Sequence, residues 1–159
     1  MPFVPPFDLR LARPEDAALL LDLQKRCFLS ESALYGNIPI APLTQSLDSM
    51  QQDMLHHTIL CLWHEGQLIG SVRGRTEGQT CHVGRLMVHP DHQGQGLGKT
   101  LLLDIEKQFP EVLRFELFTG EKSASNIRLY QKLGYREFQR QDTGKGFSMV
   151  YMEKTRTNP

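Results

Sequence analysis

A chain of 159 residues, 40% apolar and 23% charged, has the length and composition of one globular domain with a sizeable core. Its 18 Lys+Arg balance its 18 Asp+Glu, and a net charge of zero argues against nucleic acid or an anionic membrane as the main partner. No apolar run approaches a membrane span, and residues 1–7 hold prolines rather than a signal-peptide core. Cys27, Cys61 and Cys81 are odd in number and widely spaced, so they suggest neither zinc nor a disulfide set, and the cytoplasm is the expected compartment.

Asp8 to Arg13 alternates, with Leu9 and Leu11 on one face, and predicts a short strand. Pro14-Glu15-Asp16 opens a helix, because Pro suits the first helical position and acids suit the first turn. Its apolar stripe runs through Ala17, Leu20, Leu21 and Leu23 towards Phe28. Ser30 to Pro42 has no period and carries Gly36, Pro39 and Pro42, which predicts a loop. Thr44 is placed to cap a second helix reaching Leu55.

Thr58 to His64 and Gln67 to Arg75 read as strands joined at Glu65-Gly66, and Glu77-Gly78 leads into a third, Thr80 to Val88. Leu97, Leu101, Ile105 and Phe109 recur every four residues, and Pro110 ends that helix. Leu113 to Thr119 is a strand, and Ser123 or Ser125 caps a helix that stops at Gly134. Tyr135 to Arg140 and Phe147 to Glu153 form a closing hairpin across Gly144-Lys145-Gly146. The order β-α-α-β-β-β-α-β-α-β-β predicts an α/β fold with a mixed sheet, one domain over residues 1–159 and no internal repeat.

The chemistry concentrates between Leu86 and Leu103. An apolar strand ends at Val88, a turn follows on His89-Pro90-Asp91, and Gly94, Gly96 and Gly98 alternate just before a helix. Such a strand, glycine turn and helix start form a backbone anion site, since ligands approach glycine closely and free N–H groups face them. The spacing excludes a dinucleotide fingerprint, whose third glycine falls on Lys99. It disfavours a P-loop, which it misses by one residue: Gly98-Lys99-Thr100 fits the end of that pattern, but the first glycine falls on Gln93.

What remains is Gln93-x-x-Gly96-x-Gly98, preceded by Leu86-Met87-Val88, and downstream Asn126 to Tyr135 reads N-x-x-x-Y-x-x-x-G-Y. The two segments resemble the motifs of the GNAT superfamily of N-acetyltransferases, over about residues 7 to 154. The resemblance implies the GNAT fold, a mixed and mostly antiparallel sheet of about seven strands flanked by about four helices. It also implies acetyl transfer from acetyl-CoA to a primary amine of a small molecule or peptide, by direct attack in a ternary complex.

On that resemblance Gln93, Gly94, Gln95, Gly96, Leu97, Gly98 and Lys99 hold the pyrophosphate, and Leu86, Met87 and Val88 run along the pantetheine arm. A bulge there would splay the strand from Leu113–Thr119, and the Val88 N–H would face the developing oxyanion. Residue pattern alone also reads Leu86 and Val88 as core. Asn126 and Tyr130 lie four apart on one helix face, and the family places Asn126 on the cofactor arm and Tyr130 near the sulfur, as proton donor to the thiolate. The other reading of Tyr130 packs it with Leu129 and Leu133.

His82 stands eleven residues before Gln93, where family branches carry a base. Strict alternation would put it on one face with Gly84, Leu86 and Val88, and a half-exposed strand histidine is the other reading. His89, Asp91 and His92 fit a solvated turn better than a metal site, and His56-His57 fits a helix end. No metal is expected. The acceptor site is expected near Phe28 to Leu43 and the closing hairpin, with Tyr35 and Arg85 as polar candidates. A homodimer is compatible with the resemblance. The rival readings are a non-catalytic acyl-CoA-binding module and a P-loop-like nucleotide binder.

Overall fold

The computed structural model describes residues 6–156, so most of the proline-bearing stretch 1–7 lies outside the described residues. The elements are β1 (Phe7–Leu11), α1 (Ala17–Ala33), α2 (Ala41–Thr44), α3 (Leu47–His56), β2 (Thr58–His64), β3 (Gln67–Glu77) and β4 (Thr80–Val88). There follow α4 (Leu97–Lys107), β5 (Arg114–Gly120), α5 (Ala124–Lys132), β6 (Arg136–Asp142) and β7 (Ser148–Thr155).

The seven strands form one sheet in the order β1-β2-β3-β4-β5-β7-β6. Every neighbouring pair is antiparallel except β4 with β5. A parallel neighbour needs a crossover, and α4 supplies it. The mixed, mostly antiparallel α/β sheet of the expected GNAT fold is therefore present.

Each face of the sheet has its own core. On one face α4 and α5 pack Leu97, Leu101, Leu102, Ile105 and Tyr130 against Leu60, Leu62, Val83, Phe115 and Met152. On the other, α1 and α3 pack Leu20, Leu23 and Met50 against Ile59, Cys61, Trp63 and Met87. Leu101, Leu102 and Ile105 are 0% exposed. Burying each such side chain contributes about 1.5–3 kcal/mol, which fixes the start of α4 relative to the sheet.

Two expectations are corrected before the site is reached. The helix from Ala17 runs on to Ala33, through the segment expected to be loop from Ser30. Its stop is delayed to Gly36 and Asn37, with φ of 79° and 60°, and the Ser32 hydroxyl donates to the Ile38 carbonyl at 2.6 Å to close the end. Thr44 ends the short α2 instead of capping α3. Ser46 is the cap, its hydroxyl accepting from the Ser49 N–H at 3.1 Å.

Candidate active site

The site begins where β4 leaves β5. The two pair only from Thr80 with Arg114 to His82 with Glu116, and the strands part beyond that point. On its other side β4 pairs with β3 through a bulge, Gly84 opposite Arg73 and Met87 opposite Ser71, so Arg85 and Leu86 share the place opposite Val72. Arg85 sits at φ 49°, in the left-handed region that side-chain-bearing residues seldom adopt.

The extra residue reverses the alternation. Before the bulge Cys81 and Val83 face α4, whereas after it Leu86 and Val88 do, and Met87 faces α1. His82 therefore lies on the sheet face opposite Leu86 and Val88, contrary to the face expected from strict alternation. It stands between Glu77, 3.4 Å from Nε2, and Glu116, 3.7 Å from Nδ1.

Val88 pairs with Gly70, and the His89 N–H bonds the Ile69 carbonyl at 2.7 Å. That pattern marks Val88 and Gly70 as a non-hydrogen-bonded pair, so the N–H and C=O of Val88 point away from β3 and into the opening. The carbonyl is met there by the Gln93 amide at 3.1 Å and the Cys27 thiol at 3.4 Å.

A cavity of about 360 Å³ fills this opening. Its walls are Leu86, Met87 and Val88 of β4, then Gln93, Gly94, Gly96, Leu97 and Gly98 at the start of α4. Asn126 and Leu129 of α5, Cys27, Phe28 and Glu31 of α1 and His92 of the turn before α4 are also in its walls. Nine of the expected cofactor residues thus meet around one space. Gln95, Lys99 and Tyr130 are not among its walls.

Gly94 and Gly96 have φ of 82° and 78°, and an added Cβ at either would meet nothing within 4 Å. Their backbone is bare on its open side, and Gly96 caps a helix of 11 residues whose first N–H groups lie beside the cavity. At Gly98 a Cβ would come 3.8–4.0 Å from Leu129, Val88 and Leu86, so its absence keeps the cleft between them open.

Tyr130 is buried, its ring 6.1 Å from that of Tyr135. Its hydroxyl has no hydrogen-bond partner among the described residues, and burial, with the Glu31 carboxylate adding to it, pushes the phenol above its ordinary value. Cys27 is pushed up to about 11 by burial, against smaller opposing effects of Arg26 and the Val88 backbone.

Tyr35 is not free to meet an acceptor. Its hydroxyl accepts from the Lys122 N–H at 3.0 Å and pairs with the Ser123 hydroxyl at 3.0 Å, while its ring lies 4.2 Å from that of Phe147. Ser123 donates in turn to Glu31. Ser123 does head α5, yet its side chain makes no cap bond, because Glu31 and Tyr35 take it.

Sequence reasoning missed Cys27 and Glu31. The available signal was α1 itself, whose inward stripe of Leu20, Leu23 and Phe28 is interrupted by polar Gln24, Cys27 and Glu31 at helical spacing.

Comparison with known proteins gives the same family as the motifs. The family described as "Acetyltransferase (GNAT) domain" matches residues 40–156. The S-(2-succino)cysteine N-acetyltransferase of Bacillus subtilis is 28% identical over 156 residues, covering 91% of this chain and 93% of the relative. An acetyltransferase of Pectobacterium atrosepticum is 27% identical, covering 80% of this chain and 86% of the relative. Among solved structures, the PaiA N-acetyltransferase of Thermoplasma acidophilum in complex with coenzyme A superposes with a TM-score of 0.78 at 20% identity, over 94% of this chain and 99% of that one. The yncA protein of Salmonella typhimurium, solved with acetyl-CoA, gives 0.73 at 20% identity, over 96% and 97%.

Proposed function

Because the chain belongs to the GNAT acetyltransferase family, we propose that it carries acetyl from acetyl-CoA to a primary amine of a small molecule or peptide, by direct attack with both bound at once. One observation carries the reading: a single cavity joins the bare backbone of Gly94 and Gly96 at a helix start to the Val88 backbone in a split between strands. The relative named for S-(2-succino)cysteine and the neighbours bearing coenzyme A and acetyl-CoA support it.

Acetyl-CoA supplies the acetyl group as a thioester, activated for acyl transfer. The residues of the chain do the rest. The N–H groups at the start of α4, with Gln93, Gln95 and Lys99 around them, hold the pyrophosphate, since free N–H groups and the helix dipole favour negative charge there. Leu86, Met87, Val88 and Asn126 line the path of the pantetheine arm. The Val88 N–H donates to the carbonyl oxygen as charge develops on it. Tyr130, a phenol protonated at neutral pH even at its ordinary value of 10.0, has a proton to give to the leaving thiolate.

For removal of the amine proton there are two candidates. His82 stands where the two strands part, flanked by two carboxylates. Glu31 is favoured by a specific observation, since it is the carboxylate in the cavity wall and its charge acts on Tyr130.

The test has two measurements. Acetyl-CoA should raise the melting temperature, because a ligand of the native state stabilises it by mass action. Gly96→Asp, which sets a side chain and a negative charge against the pyrophosphate, should abolish the rise. A panel of amines read by release of free thiol should then give turnover. A melting shift without thiol release from any amine would indicate a binding module. A shift with ATP in place of acetyl-CoA would indicate a nucleotide binder.

A further inference from the structure

The residue displaced by the bulge carries a charge that the fold does not neutralise. Arg85 points to the α1 and α3 side of the sheet, where it lines a small pocket with Gln24 of α1, Met50 of α3 and Ser71 and Arg73 of β3. Its Nε is buried without a hydrogen-bond partner, and so is Oε1 of Gln24, a residue 0% exposed. The charged groups acting on Arg85 are Arg73, which repels it, and Asp53. Asp53 is already engaged, accepting from Arg73 at 2.9 Å and from Gln45 at 2.6 Å. Two guanidinium groups therefore share one carboxylate, and the unmatched one is Arg85.

A buried cation is normally paired. The pocket of about 10 Å³ has room for one water, which would satisfy Nε and Oε1 but not the charge. Burial first, and then Arg73, pulls the guanidinium down to about 10, as expected for a cation short of an anion. Arg85 as a whole keeps partial exposure, and of its guanidinium nitrogens only Nε is both fully buried and without a partner.

The position connects this charge to the acetyl site. Met87 lines both the small pocket and the large cavity, and Gln24 stands one helical turn before Cys27 and Phe28 on the same α1 face. Arg85 lies three residues before Val88, at most about 10 Å along a strand.

We propose that Arg85 binds an anionic group of the acceptor, a carboxylate foremost, so that the acceptors are small amines that also carry a carboxylate: the amino-acid class. The proposal rests on the acetyltransferase reading and deepens it. The planar guanidinium matches a carboxylate in two parallel hydrogen bonds. The left-handed backbone at Arg85 is strain of a kind that persists where the surrounding structure imposes it, and such strain clusters at functional sites.

The experiment uses acceptor pairs, α-, β- and γ-amino acids each against its own amide, with saturating acetyl-CoA and thiol release as the readout. Wild type should prefer the carboxylate member by about ten- to hundredfold in kcat/KM, the value of a hydrogen bond to a charged group. In Arg85→Met that ratio should fall towards one. Arg85→Lys should retain part of it, having charge without the fork. The melting shift with acetyl-CoA, equal in all three proteins, shows that each is folded and loaded.

Should no pair be turned over, coenzyme A with N-acetylglycine or with N-acetylglycinamide replaces them in the melting assay. The carboxylate should then give an extra shift in wild type that Arg85→Met lacks. Equal use of acid and amide overturns the proposal. So does a preference that survives Arg85→Met, or an extra shift that is absent or independent of Arg85. Loss of the acetyl-CoA shift in wild type would instead strike the acetyltransferase reading itself.

Discussion

Tyr130 and Tyr135 make a natural control for one another. Both are buried, but Tyr135 gives its hydroxyl to Glu106 at 2.7 Å, while the hydroxyl of Tyr130 has no partner among the described residues. Tyr130→Phe therefore removes no internal hydrogen bond, and the melting temperature should hold while turnover falls within or below the range of about 10²–10⁴-fold expected of a general acid. Tyr135→Phe leaves a buried carboxylate with Lys154 at 2.9 Å and one bond fewer, and should cost about 1.5–3 kcal/mol of stability with kcat retained. Equal turnover in wild type and Tyr130→Phe, with chemistry shown to limit the rate, would make Tyr130 a packing residue. The two candidate bases separate the same way. If Glu31 takes the proton, Glu31→Gln should lower kcat by up to about 10²–10⁴-fold while His82→Gln changes it little, and the reverse ranking would return the role to His82.

At the scale of elements, what was legible followed from spacing, and what was not followed from tertiary contacts. The glycine turn and the four-residue recurrence of Leu97, Leu101 and Ile105 announce α4 because both obey local rules. A bulge at Leu86 to Val88 was implied by the resemblance, but strict alternation takes no account of it and so left His82 on the face of Leu86 and Val88, which the extra residue at Arg85 reverses. The length of α1 was hidden because Ser30 to Ser32 is polar, and its last turns are held from elsewhere, Glu31 by Ser123 and Ser32 by the Ile38 carbonyl. The same contacts explain Gly120, which reads as an ordinary strand end. A Cβ there would collide with the Tyr35 hydroxyl, so β5 can carry no side chain at this point while Tyr35 bonds Lys122 and Ser123. Gly120→Ala should push Tyr35 out and cost about 1–3 kcal/mol, as overpacking does. Calorimetry of Gly120→Ala alone and with Tyr35→Phe tests this, since the second change removes the nearest colliding atom and should restore part of the loss.

For the whole molecule, the two cores respond together to alkali. Cys81 lies in the core under α4 and Cys61 in the core under α1, both 0% exposed, while Cys27 stands in the cleft between. Burial pushes Cys61 and Cys81 up from 9.0 to about 12, and Cys27 up to about 11. The consequence has a definite sign. Above 9.0 an unfolded chain loses these thiol protons, whereas the folded chain keeps them to about 11 or 12. Across that window the native state holds more protons than the unfolded state, so stability falls as pH rises. Burial raises Tyr130 and Tyr135 as well, and they act in the same direction. The melting temperature should therefore stay level from neutral pH to about 9 and decline steadily beyond it. A Cys27→Ala, Cys61→Ala, Cys81→Ala variant will start lower, because two of the three changes leave cavities in packed cores. Its decline above pH 9 should nonetheless be shallower than that of wild type, with the remaining slope owed to the tyrosines and opposed above about 10 by Arg85, whose lowered value acts in the other direction. Equal slopes in the two proteins would mean that the thiols ionise with little penalty, and that the packing around Cys61 and Cys81 admits water.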